Sequence, residues 1–244
     1  MSTKLIDRTP SAYSHSLLIK NLLGNPVRQF PDQEIVYGDC KRQTYRDLGE
    51  RVGRLASGLA RLGVKPGDTV AVMDWDSHRY LECFFAVPML GAVLHTVNVR
   101  LSPEQILYTI NHAEDDAILV NADFLPILEA IRDRIEPVKK LVLLNDAAQL
   151  PTTVLDLASE YETLLATGDP GHAFPDFSED TRATTFYTTG TTGSPKGVYF
   201  SHRQLALHTF GVMSALAGTG QGSFNRDDVY MPITPMFHVH AWGV

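Results

Sequence analysis

A segment rich in glycine and threonine surrounds a lysine at residues 187–198, where the sequence reads YTTGTTGSPKGV. Glycines let backbone N–H groups approach a ligand closely. Threonine hydroxyls can donate hydrogen bonds to phosphate oxygens or ligate Mg²⁺, and Lys196 adds a compact positive charge. These residue types at this spacing predict a phosphate-binding loop, with a glycine- and threonine-rich hairpin that binds nothing as the alternative.

The segment differs from the P-loop of ATPases. A Walker A loop has glycine immediately before its lysine and serine or threonine after it, whereas Pro195 precedes Lys196 and Gly197 follows it. Residues 198–200 are apolar and aromatic and resemble a strand more than a helix. We therefore predict that the loop joins two strands and that its phosphate contact does not depend on a helix N-terminus.

A second segment with chemically capable side chains spans residues 231–243, MPITPMFHVHAWG. On an extended strand His238 and His240 would point to the same face, an arrangement that suits two metal-bound imidazoles. A zinc site needs further ligands, and no cysteine or acidic residue stands nearby in the sequence. Metal binding by this pair is therefore kept only as an alternative.

The elements that must position these segments alternate along the chain. Apolar periodicity and capping residues predict helices at 44–62, 77–90, 103–113, 124–135, 155–166 and 201–216. Short apolar or β-branched runs predict strands at 69–73, 93–97, 117–120, 141–144 and 184–187. A proline- and glycine-containing loop is expected at 168–180. This alternation with short connections predicts an α/β fold, a largely parallel sheet with helices on both faces.

Composition narrows the class of protein. A chain of 244 residues with 44% hydrophobic residues can bury a core. Lys and Arg number 21 against 28 Asp and Glu, a net charge of −7, which argues against a general nucleic-acid binder or a binder of anionic membranes. The two cysteines form no framework and suit a reducing cytosol, and no apolar run approaches a transmembrane segment of about 20 residues. We expect a cytoplasmic protein, with peripheral membrane contact left open.

Residues 187–198 resemble the signature of the adenylate-forming superfamily, which includes acyl-CoA synthetases, peptide-synthetase adenylation domains and firefly luciferase. The sequence departs from the usual form only at Thr189, where serine is frequent and the hydroxyl is retained. The 235–242 segment resembles that of long-chain fatty acid–CoA ligases, except that His240 stands where related enzymes often have asparagine. Residues 86–115 resemble the same subfamily, so the likeness covers nearly the whole chain from about residue 26. Within it, His95 and His112 are expected to be packed or capping residues, and His202 a helix-start residue.

The resemblance implies the N-terminal domain of an AMP-forming ligase that joins a long- or medium-chain fatty acid to coenzyme A, with ATP and Mg²⁺. It implies that Lys196 and His238 are catalytic and that Thr188 lies at the Mg²⁺. The implied nucleotide-binding residues are Thr188, Thr189, Gly190, Thr191, Thr192, Gly193 and Lys196. The implied acyl and adenylate pocket consists of His238, Val239, His240, Ala241 and Trp242.

We expect three parts in the chain: an N-terminal segment (1–25), an α/β subdomain (26–180), and the phosphate loop with the incomplete start of an acyl-site subdomain (181–244). Family members are much longer, so we expect the N-terminal part of an enzyme, with little or no ligase activity alone. Homodimerisation through the N-terminal region is left open. The alternatives are an adenylating enzyme for another carboxylate, such as an aryl acid, and a non-catalytic nucleotide-binding fragment.

Overall fold

The computed structural model describes residues 4–7, 9–188, 193–217, 223–225 and 227–238. Within them the helices are α1 (Ile19–Gln29), α2 (Tyr45–Arg61), α3 (His78–Met89), α4 (Pro103–Ala113), α5 (Leu125–Ile131), α6 (Tyr161–Ala166) and α7 (His202–Leu216). The strands are β1 (Glu34–Tyr37), β2 (Lys41–Thr44), β3 (Thr69–Met73), β4 (Val93–Thr96), β5 (Asp115–Asn121), β6 (Lys140–Leu144), β7 (Ser159–Glu160), β8 (Arg182–Thr188) and β9 (Lys196–Ser201). Short 3₁₀ turns flank α5 at Ala122–Phe124 and Arg132–Arg134.

Seven strands form one sheet in the order β7–β6–β5–β3–β4–β8–β9, and β1 pairs with β2 in a separate hairpin. Every neighbouring pair in the large sheet is parallel except β8 with β9. Both β3 and β4 are buried along their whole length, as expected for parallel strands covered on both faces. The predicted α/β fold with a largely parallel sheet is confirmed.

Three helices begin at the capping residues that the sequence indicates. Thr44, Ser102 and Ser201 each accept a hydrogen bond from the backbone N–H three residues on, and the side chain at that position accepts from the backbone N–H of the cap. These reciprocal bonds satisfy donors that the first helical turn leaves free. The residues from Ser201 to Gln204 therefore determine that α7 begins directly after β9.

Two predicted helices differ from the structure. Residues 155–158 are not helical, and exposed residues alternate with partly buried ones along them; β7 then pairs with β6 before α6 begins. The apolar residues Leu155 and Leu157 follow a two-residue period, which is a strand period. The helix predicted at 124–135 is restricted to α5 and its two 3₁₀ turns. Helix α1 was not predicted; it contains Gly24 and Pro26 and begins without a side-chain cap.

A half-buried arginine joins three helices. Arg51 on α2 donates two hydrogen bonds to the carboxylate of Glu82 on α3, at 2.7 and 3.1 Å, and two to Glu162 on α6, at 2.9 and 2.7 Å. Glu82 is fully buried and also accepts from the Tyr161 hydroxyl at 2.6 Å. Pairing and hydrogen bonds of this kind offset the cost of removing a carboxylate from water. The network fixes the helices on this side of the sheet.

The loop at 168–180 lies directly on the backbone of α2. A Cβ added at Gly53 would stand 2.3 Å from the carbonyl oxygen of Pro170, and one at Gly168 would stand 2.2 Å from that of Arg54. The guanidinium of Arg54 donates to the Gly168 carbonyl at 3.0 Å. Any larger residue at Gly53 or Gly168 would collide with the backbone of the other segment, so this close contact requires glycine at both positions.

Helix α7 is joined to α1 through His202. The imidazole is fully buried, and its Nδ1 accepts a hydrogen bond from the backbone N–H of Ile19 at 3.2 Å. The N–H of Leu17 donates to the Glu179 carboxylate at 2.8 Å nearby. Burial lowers the pKa of His202 to about 4. The expected helix-start role is confirmed, and it includes holding the N-terminal helix.

No helix in the described part of the chain combines the length and apolarity needed to cross a bilayer. The part boundaries expected after residues 25 and 180 stay predictions. One sheet contains strands from both sides of the second boundary.

Replacing Gly53 with alanine should destabilise the protein by about 2 kcal/mol or more, because the new methyl group collides with a backbone carbonyl. Gly211 lies on α7 with nothing within 4 Å of its added Cβ, so Gly211→Ala should raise stability by about 0.5–1 kcal/mol through helix propensity. Urea unfolding of both variants measures the two effects. Equal shifts would contradict the close contact at Gly53.

Stability should fall as the pH drops from about 6.5 to 4, because the unfolded chain then protonates His202 while the folded protein keeps it neutral. A histidine pKa lowered from 6.5 to about 4 corresponds to about 3 kcal/mol. Above pH 6.5 this destabilising effect of acid is absent, and below pH 4 the free energy of unfolding loses nothing further from His202. His202→Gln keeps an acceptor for Ile19 and should flatten this part of the curve in urea unfolding between pH 7 and 4.5. His208→Gln, exposed on the same helix, is the control that should leave the curve unchanged.

Candidate active site

The carboxyl ends of β3, β4 and β8 meet at one edge of the sheet because these neighbours are parallel. Open α/β sheets bind ligands outside this edge. Polar residues gather there: Asp74 and Asp76 follow β3, Thr96 ends β4 and Thr188 ends β8. The edge is therefore the candidate site.

The predicted phosphate loop lies on a hairpin at this edge. Strands β8 and β9 are antiparallel, and their paired residues include Thr188 opposite Lys196. Both of these side chains are exposed, so a hydroxyl and an ammonium group stand at the mouth of the hairpin. The prediction that the loop joins two strands is confirmed, and the prediction that its phosphate contact does not depend on a helix N-terminus stays a prediction.

Part of the loop has a backbone that favours glycine. Gly193 has a φ of 99° and open space around it, in a region that L side chains rarely adopt. The remaining predicted nucleotide-binding residues Thr189, Gly190, Thr191 and Thr192 lie outside the described residues, and their roles stay predictions.

The base of the hairpin is tied to α4 through Tyr187. The hydroxyl of Tyr187 lies 2.8 Å from Nδ1 of His112, and a Cβ at Gly197 on the opposite strand would lie 3.4 Å from its ring. Burial raises the pKa of Tyr187, so the hydroxyl stays protonated and can donate to the imidazole. A hydrogen bond and a ring contact with His112 thus support the strand that ends at Thr188.

A buried histidine lies beneath the same hairpin. Nδ1 of His95, on β4, lies 2.8 Å from a carboxylate oxygen of Asp115, and both side chains are at most 1% exposed. The His95 ring is 5.2 Å from that of Tyr187. The expectation that His95 and His112 are packed or capping residues fits both: His95 is buried on Asp115, whereas His112 is exposed in the last turn of α4 and hydrogen-bonded to Tyr187.

The segment that contains His238 is docked on the ends of β3 and β4. Met236 and Phe237 are buried, while His238 is exposed. The backbone N–H of Met236 donates to Asp76 at 2.6 Å, and the hydroxyl of Thr96 donates to the Phe237 carbonyl at 3.2 Å. Because β4 lies between β3 and β8, this segment and the phosphate hairpin occupy neighbouring positions on one edge.

Asp76 and Thr96 were not predicted as residues of this site. Each is a polar residue placed where a buried parallel strand ends, and that position was the available signal. Val239, His240, Ala241 and Trp242 lie outside the described residues, so the acyl-pocket roles and the zinc alternative at His238 and His240 stay predictions. Among the residues that the structure describes, no group of three or more metal-ligating side chains is found.

The donors at the hairpin mouth fit a magnesium ion that arrives with a nucleotide. Mg²⁺ is commonly bound by few protein oxygens together with substrate phosphates and water. The exposed hydroxyl of Thr188 can supply one such oxygen, and the paired Lys196 can bind a phosphate beside it. Among the described residues, these two exposed side chains have the chemistry that a metal–phosphate complex would require.

Comparison with known proteins identifies the family that this chain resembles. Residues 24–244 match the family described as AMP-binding enzyme. The chain is 38% identical over 231 residues to a 3-methylmercaptopropionyl-CoA ligase of Ruegeria pomeroyi, an alignment that covers 93% of this chain and 42% of that protein. It is 43% identical over 205 residues to a long-chain-fatty-acid–CoA ligase of Thermus thermophilus, covering 84% of this chain and 36% of that protein. The chain thus spans less than half the length of these relatives.

The fold is similar to the crystal structure of a long-chain-fatty-acid-CoA ligase from Archaeoglobus fulgidus. The TM-score is 0.79 at 20% sequence identity, and the match covers 99% of this chain and 47% of that one. At that identity the likeness concerns the fold alone.

Proposed function

The chain belongs to the AMP-binding enzyme family, and from this premise we propose that it is part of an AMP-forming fatty acid–CoA ligase. In the first half-reaction a carboxylate oxygen attacks the α-phosphorus of ATP, giving acyl-AMP and releasing pyrophosphate. In the second, the thiol of coenzyme A attacks the acyl carbon, giving the thioester and releasing AMP. The observation that carries the proposal is the placement of Thr188, Lys196 and His238 on one edge of the sheet.

The first half-reaction must bring two anions together, so their charge must be offset and their groups held in line. Lys196 would bind the β- and γ-phosphates. Mg²⁺, held with the help of the Thr188 hydroxyl, would offset phosphate charge. His238 would orient the carboxylate. Because β8 and β9 are paired up to Thr188 and Lys196, the backbone that carries these two groups is held in place by the sheet.

We propose a long- or medium-chain fatty acid as the substrate. The two relatives are a 3-methylmercaptopropionyl-CoA ligase and a long-chain-fatty-acid–CoA ligase, whose acyl groups differ widely in size. An aryl acid is the alternative. Acyl-AMP formation by the complete polypeptide that contains residues 1–244, measured with saturated fatty acids of increasing length and with benzoate, distinguishes them.

A cytoplasmic location and a homodimer formed through the N-terminal region also remain proposals. The two cysteines, Cys40 and Cys83, are free, which agrees with a reducing compartment.

Lys196→Ala should weaken ATP binding about tenfold or more, since it removes a charge-assisted contact worth about 1.5–3 kcal/mol. Isothermal titration of the chain with MgATP measures the change. Lys65→Ala is the matched control, because Lys65 is also exposed but lies in the turn before β3, at the opposite edge of the sheet. Equal ATP affinity in the two variants would contradict the proposal that the loop containing Lys196 binds the phosphates of ATP.

The 244-residue chain alone should catalyse little or no ATP–pyrophosphate exchange with a fatty acid, because it spans 36–42% of the length of the ligases it matches. The complete polypeptide should catalyse the exchange. Robust turnover by the 244 residues would contradict the first expectation. ATP binding without exchange in the complete polypeptide would favour the alternative of a non-catalytic nucleotide-binding protein.

A further inference from the structure

We propose that Asp76 and Thr96 are positioning residues that set where His238 stands at the active site. The inference rests on the proposed function, which gives His238 its task of orienting the carboxylate. Neither residue needs to touch the substrate for this role. They act through the backbone of the two residues that precede His238.

Asp76 holds the first of these residues. Its carboxylate accepts the backbone N–H of Met236 at 2.6 Å across 160 positions of sequence, and a hydrogen bond to a charged acceptor is among the stronger ones. The loop that carries Asp76 is itself fixed. The fully buried Asp74 accepts from the Ser77 hydroxyl, from Asn121 at 2.8 Å and from the N–H of Trp75 at 2.8 Å. Asp76 therefore presents its acceptor from a rigid connection between β3 and α3.

Thr96 holds the second residue. Its side chain is 1% exposed at the end of β4, and its hydroxyl donates to the carbonyl of Phe237 at 3.2 Å. The Phe237 ring is buried, with the guanidinium carbon of Arg100 5.8 Å from its centroid. The side chain and the carbonyl of Phe237 are thus both held.

The peptide group between Phe237 and His238 is consequently bound at both of its polar atoms. Thr96 binds its oxygen, and its N–H donates to the Pro235 carbonyl at 2.9 Å. A peptide group is planar, so fixing both atoms fixes the position of the His238 Cα. With the Cα fixed, the exposed imidazole of His238 can move only by rotation about its side-chain bonds. Because rate depends steeply on the placement of a reacting or orienting group, loss of either hydrogen bond should affect the step that uses His238.

Matched substitutions separate these hydrogen bonds from packing. Thr96→Val keeps the shape and removes the donor, whereas Thr96→Ser keeps the donor. Asp76→Ala removes the acceptor, whereas Asp76→Asn keeps an amide oxygen in its place. Circular dichroism and thermal unfolding of all four variants check that the fold is retained.

The first measurement is amide hydrogen exchange in the 244-residue chain. Asp76→Ala should speed exchange at Met236 about tenfold or more, and Thr96→Val should speed exchange at His238, since the opening of each hydrogen bond becomes easier. The Asn and Ser variants should remain near wild type. Unchanged exchange in both Asp76→Ala and Thr96→Val would overturn the proposal.

The second measurement is steady-state AMP formation from palmitate, ATP and coenzyme A by the complete polypeptide that contains residues 1–244. Asp76→Ala and Thr96→Val should lower kcat/KM for palmitate about tenfold or more, while KM for ATP changes less than about threefold. The Asn and Ser variants should restore most of the loss. Unchanged kcat/KM in an active enzyme would overturn the positioning role. A wild-type polypeptide that forms no AMP would contradict the proposed function instead, and the exchange rates would still decide whether Asp76 and Thr96 hold the segment.

Discussion

The structure depends on the parallel pairing of β4 with β3 on one side and with β8 on the other. Parallel strands end at the same edge, so this pairing brings together residues that are far apart in sequence. Asp76, Thr96 and Thr188 stand at the ends of three successive strands for this reason. The two segments with functional side chains then attach to that edge, one as a hairpin that continues β8 and the other through backbone hydrogen bonds to Asp76 and Thr96.

The protein and its proposed ligand, ATP, are both negatively charged. The fold offsets this repulsion only near the hairpin mouth. The chain has a net charge of −7, yet the hairpin mouth presents Lys196 to solvent. The acidic groups nearest this edge are engaged elsewhere: Asp74 is buried among donors, and Asp76 accepts from a backbone N–H. The attraction for a polyphosphate would therefore come from a few fixed groups and not from the long-range field of the protein.

The sequence predicts the features that depend on neighbouring residues. Helix starts at Thr44, Ser102 and Ser201, the buried strand β3 and the strand–loop–strand form of the phosphate segment all follow from patterns within a few positions. Features created by distant contacts carried no local signal. The two-residue strand β7 exists because β6 offers a partner, and α1, with Gly24 and Pro26 inside it, is held by α7 and its neighbours. Asp76 and Thr96 can be noticed in the sequence as polar residues at strand ends, but their hydrogen bonds to Met236 and Phe237 span 160 and 141 positions, so only the fold shows what they hold.

The hydrogen bond between Ile19 and His202 has a consequence for how the chain is made. It joins positions 183 residues apart, so α1 leaves the ribosome long before its partner exists. At about 5–20 residues per second, the interval is roughly ten to forty seconds. During that time α1, whose helical pattern is weakened by glycine and proline, has no imidazole to accept from its first turn. The first turn of α1 can therefore complete its hydrogen bonding only after translation has passed His202, even though α2 and α3, which also contact α1, are made earlier.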